Sequence, residues 1–309
     1  MHGRLLVIST LATLLVGCRS DDDVAAACGD IEARNEHEVV LCTALDQPVL
    51  TRVALPSSEP PAGGWPGVVL LHGSSGLFRP NEQGCSEELH GRFAEWAELL
   101  TDRGFAVVMP ASFYSRGYCE PEEGDSTHYE ERELVTRAYD AAAAASWLCR
   151  HPQVDCSRLG VLGFSHGASV AMLVMHEDLS DAEDRRLHSL KYPRFAAGVA
   201  YYPGCGLDSQ LANQLDEAQI DRYFFPSGPM FIPHAGKDRL ARACEELRDP
   251  QVRAVAIQRG IKTDMFQLDV YPGARHGFDT RPDRGSWSDR HAREDAQRRT
   301  LGKLRRWLE

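Results

Sequence analysis

Lysine is nearly missing from this chain of 309 residues. Only Lys191, Lys237, Lys262 and Lys303 occur, beside thirty arginines. The formal net charge is -11, and no run of basic residues interrupts it. An acidic chain without a basic stripe is a poor partner for nucleic acid. The arginines at Arg298, Arg299, Arg305 and Arg306 read instead as the polar face of a terminal helix. There is also no Cys-x-x-Cys and no paired-histidine spacing, so no metal site is expected. Internal repeats and a second domain boundary are likewise missing.

The longest apolar stretch, Leu5 to Val16, is too short for a comfortable membrane span. With Arg4 before it, it reads as the core of a secretory signal. Leu15-Val16-Gly17-Cys18 resembles a bacterial lipobox, which implies that Cys18 is diacylated and becomes the first mature residue. An uncleaved anchor is the alternative. Residues 19–36, opening with Arg19-Ser20-Asp21-Asp22-Asp23, read as a solvated tether, and residues 37–309 as one domain. Export to the cell envelope, membrane-attached, is the expectation. Of nine cysteines, eight remain after Cys18, an even number for an oxidising compartment. Proximity in sequence suggests Cys28–Cys42, Cys85–Cys119, Cys149–Cys156 and Cys205–Cys244, with free buried thiols as the alternative for one or two pairs.

Along the chain, Val39–Thr43 and Val49–Leu55 suggest a hairpin. Gly67–Leu71 is a continuous apolar run, as in a strand buried on both faces. A helix is expected over Glu87–Arg103, a strand over Phe105–Pro110, a loop from Ala111 to about His128 and a helix over Glu131–Arg150. Strands are also expected at Leu159–Phe164, Phe195–Tyr202, Pro229–Ile232 and Met265–Tyr271. Helices are expected at about Leu240–Arg259 and Ser288–Leu308, with insertions at Glu177–Arg194 and Gly206–Ser227. Strand and helix alternate, which predicts an α/β fold with a mostly parallel sheet covered by helices. Functional residues then belong just after strands.

One such position is Gly163-Phe164-Ser165-His166-Gly167, between an apolar strand and a helical pattern. A sharp strand-to-helix turn exposes the serine hydroxyl, and the helix start supplies N–H groups for an oxyanion. Serine needs a base. His276 follows the last strand in a loop broken by Pro272, Gly273 and Gly277. The imidazole needs a carboxylate. Asp238 follows a strand and precedes a helix, where a simple N-cap is its alternative role. Asp269 and Asp279 are less well placed. The oxyanion donors are expected to be the N–H groups of His166 and Ser74, with His72 bracing the turn. The order Ser165, Asp238, His276 is the order of α/β-hydrolases.

Val69-Leu70-Leu71-His72-Gly73, Ser112-Phe113-Tyr114-Ser115-Arg116-Gly117, the Ser165 turn, Gly236-Lys237-Asp238 and His276-Gly277-Phe278 together resemble the dienelactone hydrolase family, from about Val49 to Leu308. The resemblance implies an α/β-hydrolase fold and a substrate-binding role for Arg116, with Tyr114 shaping the pocket and Arg281 as a looser counterpart of a second family arginine. A structural alternative pairs Arg116 with Glu120, Glu122 or Glu123. The chain departs from the type enzyme in carrying Ser165 for a cysteine and Gly73 for a glutamate. The expected activity is hydrolysis of a small carboxylic ester through an acyl-enzyme, without a cofactor. A non-catalytic binding lipoprotein, or a peptidase or acyltransferase with the same triad, are the alternatives.

Overall fold

The computed structural model describes residues 31–309 except 83, 118, 120–133, 177–192, 208–223, 259, 261–264 and 281–284. The expected signal, Cys18, Cys28, Arg281 and most of both insertions lie outside the described residues.

Ten strands are present among them: β1 (Glu38–Cys42), β2 (Pro48–Ala54), β3 (Trp65–Leu71), β4 (Phe78–Asn81), β5 (Gly84–Leu89), β6 (Ala106–Pro110), β7 (Val154–Phe164), β8 (Ala197–Tyr201), β9 (Met230–Ala235) and β10 (Phe266–Tyr271). The helices are α1 (Gly91–Thr101), α2 (Leu134–Arg150), α3 (His166–Val174), α4 (Ala241–Glu246), α5 (Pro250–Gln258) and α6 (Trp287–Leu308), with a single 3-10 turn at Tyr114–Arg116. Eight strands form one sheet in the order β1-β2-β6-β3-β7-β8-β9-β10. Only β1 and β2 run antiparallel to their neighbours; β6 through β10 pair in parallel. The alternation of elements predicts such a mostly parallel sheet, and the arrangement is the α/β-hydrolase fold that the family resemblance implies.

Period-2 alternation splits the buried residues into two layers. Val69, Leu71, Val161 and Ile232 face α2 and α3, whereas Val68, Leu70, Leu162 and Phe231 face α1 and α6. Helix α2 meets the sheet through Ala138, Ala141, Ala144 and Ala145, small residues that let the helix lie close. On the other face Phe93, Trp96 and Leu100 of α1 are buried beside Phe164 and Tyr201. Burying one such aromatic contributes about 2–3 kcal/mol. The layered core therefore fixes the ends of β3, β7, β8, β9 and β10 in space.

Several boundaries differ from the sequence reading, four of them for a local reason. Residues 84–89, with 87–89 read as helix, form a strand paired with Phe78–Asn81. This polar hairpin has no alternation to reveal it, and Cys85–Cys119 ties it down. The single helix expected over 240–259 is two, because Pro250 cannot continue α4 and starts α5, with Asp249 Oδ1 accepting from Gln251 N at 2.7 Å. Helix α6 starts one residue early, at Trp287, behind a Ser286–Asp289 capping box. Residues 31–36, expected to belong to a solvated tether, include one that is packed onto the domain. Arg34 pairs with Glu38 at 2.6 Å and its guanidinium lies over the rings of Phe78 and Tyr114.

Cys149–Cys156 closes the connection from α2 to β7, and Cys205–Cys244 joins the chain after β8 to α4. Cys42 is disulfide-bonded, while its expected partner Cys28 is outside the described residues. The terminal arginines form ion pairs: Arg298 with Asp295, Arg299 with Asp269 and Arg305 with Glu309.

Candidate active site

Ser165 sits between β7 and α3 at φ 52, a conformation that costs a non-glycine residue about 1–3 kcal/mol. Its surroundings hold it there. Ser165 N donates to Tyr201 O at 2.9 Å, and Ser165 O accepts from Ala168 N at 2.9 Å and Ser169 N at 3.1 Å. A side chain at Gly163 would lie 2.2 Å from Gly167 O, and one at Gly167 would lie 2.4 Å from His72 O. Both glycines are thus required by close approach of strand, turn and helix, and the turn lifts the serine hydroxyl out of the backbone.

Two loops deliver the other members. Gly236 N donates to Tyr271 O and Lys237 N to Ala274 O, each at 2.9 Å, so the loops after β9 and β10 are joined. Asp238 Oδ2 then lies 2.5 Å from His276 Nδ1, and His276 Nε2 lies 2.8 Å from Ser165 Oγ. The His276 side chain is 41% exposed and that of Asp238 only 7%. The imidazole is open to a reactant, while its carboxylate is shielded from water. Asp238 Oδ1 also accepts from Leu240 N at 3.0 Å, an Asx turn rather than an N-cap of α4, whose N-cap is Leu240. Cys205–Cys244 and a contact of His234 Nε2 with Pro203 O at 3.1 Å brace this side of the site.

The turn after β3 lies beside Ser165, within 3.4 Å of its Cβ for a side chain built at Gly73. Gly73 O is held by His72 Nδ1 at 2.8 Å and by Gly76 N at 3.2 Å. In a trans peptide the N–H points opposite to the carbonyl. The Ser74 N–H is therefore turned away from these donors and has no acceptor among the described residues. His72 is fully buried, and burial, helped by the charge of Arg137, pushes its imidazole well below the usual histidine range. A neutral ring with its proton on Nδ1 can donate to Gly73 O at any physiological pH. The His72 backbone is fixed in turn by Arg137, which donates to His72 O at 2.6 Å and binds His166 Nδ1 at 2.6 Å. His166 opens α3, so its ring points to Arg137 while its N–H belongs to the helix start beside Ser165.

Arg116 and Tyr114, expected at the substrate, both make internal contacts. The Arg116 guanidinium grips Asp140 on α2 with Nη1 at 2.9 Å and Nη2 at 3.0 Å, and also donates to Ser112 O and Gln47 Oε1. Its side chain is 11% exposed and that of Asp140 not at all. Among the described residues its carboxylate partner is thus the internal Asp140, while Glu120, Glu122 and Glu123 lie outside them. Tyr114 lies against Phe78 and under Arg34, on the hairpin side. No sequence signal marked Asp140, which sits inside an alanine-rich helix. Sequence reasoning also passed over Arg92 and Tyr202, and weighed Asp279 only as a carboxylate for the triad. Among the described residues no group of three or more His, Cys, Asp or Glu is arranged to hold a metal ion.

With this geometry in view, comparison with known proteins is informative. The profile of the Dienelactone hydrolase family matches residues 51–308. The chain belongs to that family. No curated protein matches it. Among solved structures it is similar to a Klebsiella pneumoniae protein assigned as a dienelactone hydrolase (18% identity, TM-score 0.60, covering 86% of this chain and 96% of that one). It is similar also to the dienelactone hydrolase-like promiscuous phosphotriesterase P91 from metagenomic libraries (16%, TM-score 0.58, covering 88% and 98%). A third is esterase 2 of Thermogutta terrifontis (18%, TM-score 0.56, covering 86% and 95%). At these identities the neighbours establish the fold, and family membership identifies a hydrolase.

The position of Arg116 gives a prediction. Arg116→Ala leaves a buried Asp140 charge unmatched and should lower stability by about 3–5 kcal/mol, read by urea unfolding. It should leave the ratio of kcat/KM for esters with and without a free carboxylate unchanged. A selective loss for the carboxylate ester, at unchanged stability, would restore a substrate-binding role.

Proposed function

We propose that this protein is a serine esterase that cleaves a small carboxylic ester through an acyl-enzyme, with Ser165, His276 and Asp238 as its triad. The observation that carries the reading is the linear relay Asp238 Oδ2, His276 Nδ1 and Nε2, Ser165 Oγ, with links of 2.5 and 2.8 Å. His276 Nε2 removes the hydroxyl proton as Ser165 Oγ bonds to the ester carbonyl carbon. Asp238 keeps the other proton on Nδ1 and balances the imidazolium. The oxyanion accepts from the N–H groups of Ser74 and His166, each contributing about 3–4 kcal/mol to the transition state. Collapse expels the alcohol, which takes the proton from His276. Water, deprotonated by the same imidazole, then releases the acid and restores Ser165.

Supporting this reading are family membership and the strained serine turn. Among neighbours of the same fold, Thermogutta terrifontis esterase 2 is known in a form phosphorylated by paraoxon. We further propose that the enzyme works at the bacterial cell envelope, tethered through lipid on Cys18, on the strength of the lipobox-like Leu15–Cys18.

Ser165→Ala should remove hydrolysis of p-nitrophenyl acetate by at least about a thousandfold while the melting transition stays in place. Turnover retained in that variant would exclude the triad. The anchor is tested separately by growing cells with labelled palmitate. Label is expected in the full-length protein and not in Cys18→Ala, and an unlabelled parent would exclude it.

A further inference from the structure

Behind the triad lies a buried polar unit that neither the relay nor the oxyanion turn uses. Arg92, in the first turn of α1, donates from Nη1 to Tyr202 Oη at 2.6 Å and reaches Asp279 Oδ1 at 3.3 Å. Tyr202 Oη also donates to Asp279 Oδ1. The side chains of Arg92 and Asp279 are 10% and 4% exposed, and Tyr202 is fully buried. Burial holds the Tyr202 phenol far above its ordinary range, so it stays a donor. Burial opposes the charge on the Arg92 guanidinium, but contact with Tyr202 and Asp279 outweighs it and raises Arg92 above its ordinary range. A buried charge pair of this kind is weak evidence for stability, since desolvation offsets much of the attraction.

Its position suggests another use. The Tyr202 ring stands edge-on to the His276 imidazole, with centroids 4.8 Å apart and planes at 62°. Tyr202 follows β8 at φ 41, a strained backbone for a bulky residue, held by Tyr202 N donating to Pro233 O at 2.9 Å. Asp279 lies three residues beyond His276, in the same loop. The Arg92 guanidinium stacks 5.1 Å from the ring of Phe164, the residue before Ser165. One arginine thus touches the segment carrying the serine, the ring that backs the histidine and the turn that follows it.

We infer that Arg92, Tyr202 and Asp279 form a single positioning unit that holds the His276 imidazole at the angle needed to reach Ser165. The inference rests on the triad reading above. Asp279 anchors the loop from below, the Tyr202 ring sets the tilt of the imidazole, and Arg92 locks both to α1. None of the three touches the reacting atoms. Their effect is on how often His276 and Ser165 are aligned, so they should act on kcat and leave ester binding alone.

The test uses Tyr202→Phe, which keeps the ring and removes the hydroxyl, and Asp279→Asn, which keeps the shape and removes the charge. Each should lower kcat for p-nitrophenyl acetate about tenfold to a hundredfold, the scale of an ångström-sized misplacement, with KM within about twofold of the parent. Because the residues act as one unit, the double variant should lose little more than either single one. Phosphonate labelling of Ser165 should slow in parallel. The inference is overturned if kcat stays within about twofold of the parent in Tyr202→Phe. It is overturned equally if the two losses multiply in the double variant, or if lost activity only follows a lost folded fraction in thermal melts. Should Asp279→Asn fail to fold, the kcat and KM of Tyr202→Phe decide alone. A failure of the triad reading is separate, because it would appear as turnover in Ser165→Ala.

Discussion

The site depends on the backbone of Ser165 being held in a conformation that it would not adopt alone. A φ of 52 is affordable because Tyr201 O, Ala168 N and Ser169 N all bond to that residue. Gly163 and Gly167 also let strand β7, helix α3 and the end of β3 approach closely. The strain turns the hydroxyl out of the sheet, toward the loops beyond the strand ends. Relaxing it would carry Oγ away from His276. The other parts of the site are arranged around that fixed point.

Two kinds of support meet there. On one side Arg137 pins His72, and the neutral His72 ring pins Gly73 O, so the Ser74 N–H is directed by its own peptide plane. On the other, the loops after β9 and β10 are bonded to each other before Asp238 and His276 meet. Few atoms make up the relay, whereas their directions are set by buried polar side chains behind it. Arg116 belongs with these supports. Its guanidinium, matched by Asp140, fastens the turn at Tyr114–Arg116 to α2.

Ser165, Asp238 and His276 were legible in the sequence because each follows an apolar strand, and the topology puts strand ends together. The pairing of Cys85 with Cys119 and of Cys205 with Cys244 was legible from proximity, in a chain expected to be exported. What could not be read is what long-range packing decides. Arg92 and Asp279 are 187 residues apart, and no periodicity connects them. Asp140 is hidden among alanines, so the internal carboxylate that Arg116 meets could not be anticipated. The β4–β5 hairpin escaped because its strands are polar and short. The break at Pro250 was present in the sequence, where a proline cannot continue a helix, and helical spacing on either side masked it.

The central claim is that Ser165 is the nucleophile and that His276, aligned by Asp238, makes it one. Paraoxon treatment followed by peptide mass spectrometry addresses it directly. A diethylphosphoryl adduct is expected on the peptide holding Ser165, in the parent protein and at a greatly reduced rate in His276→Ala. An adduct on another residue, or equal labelling of Ser165 with and without His276, would contradict the account.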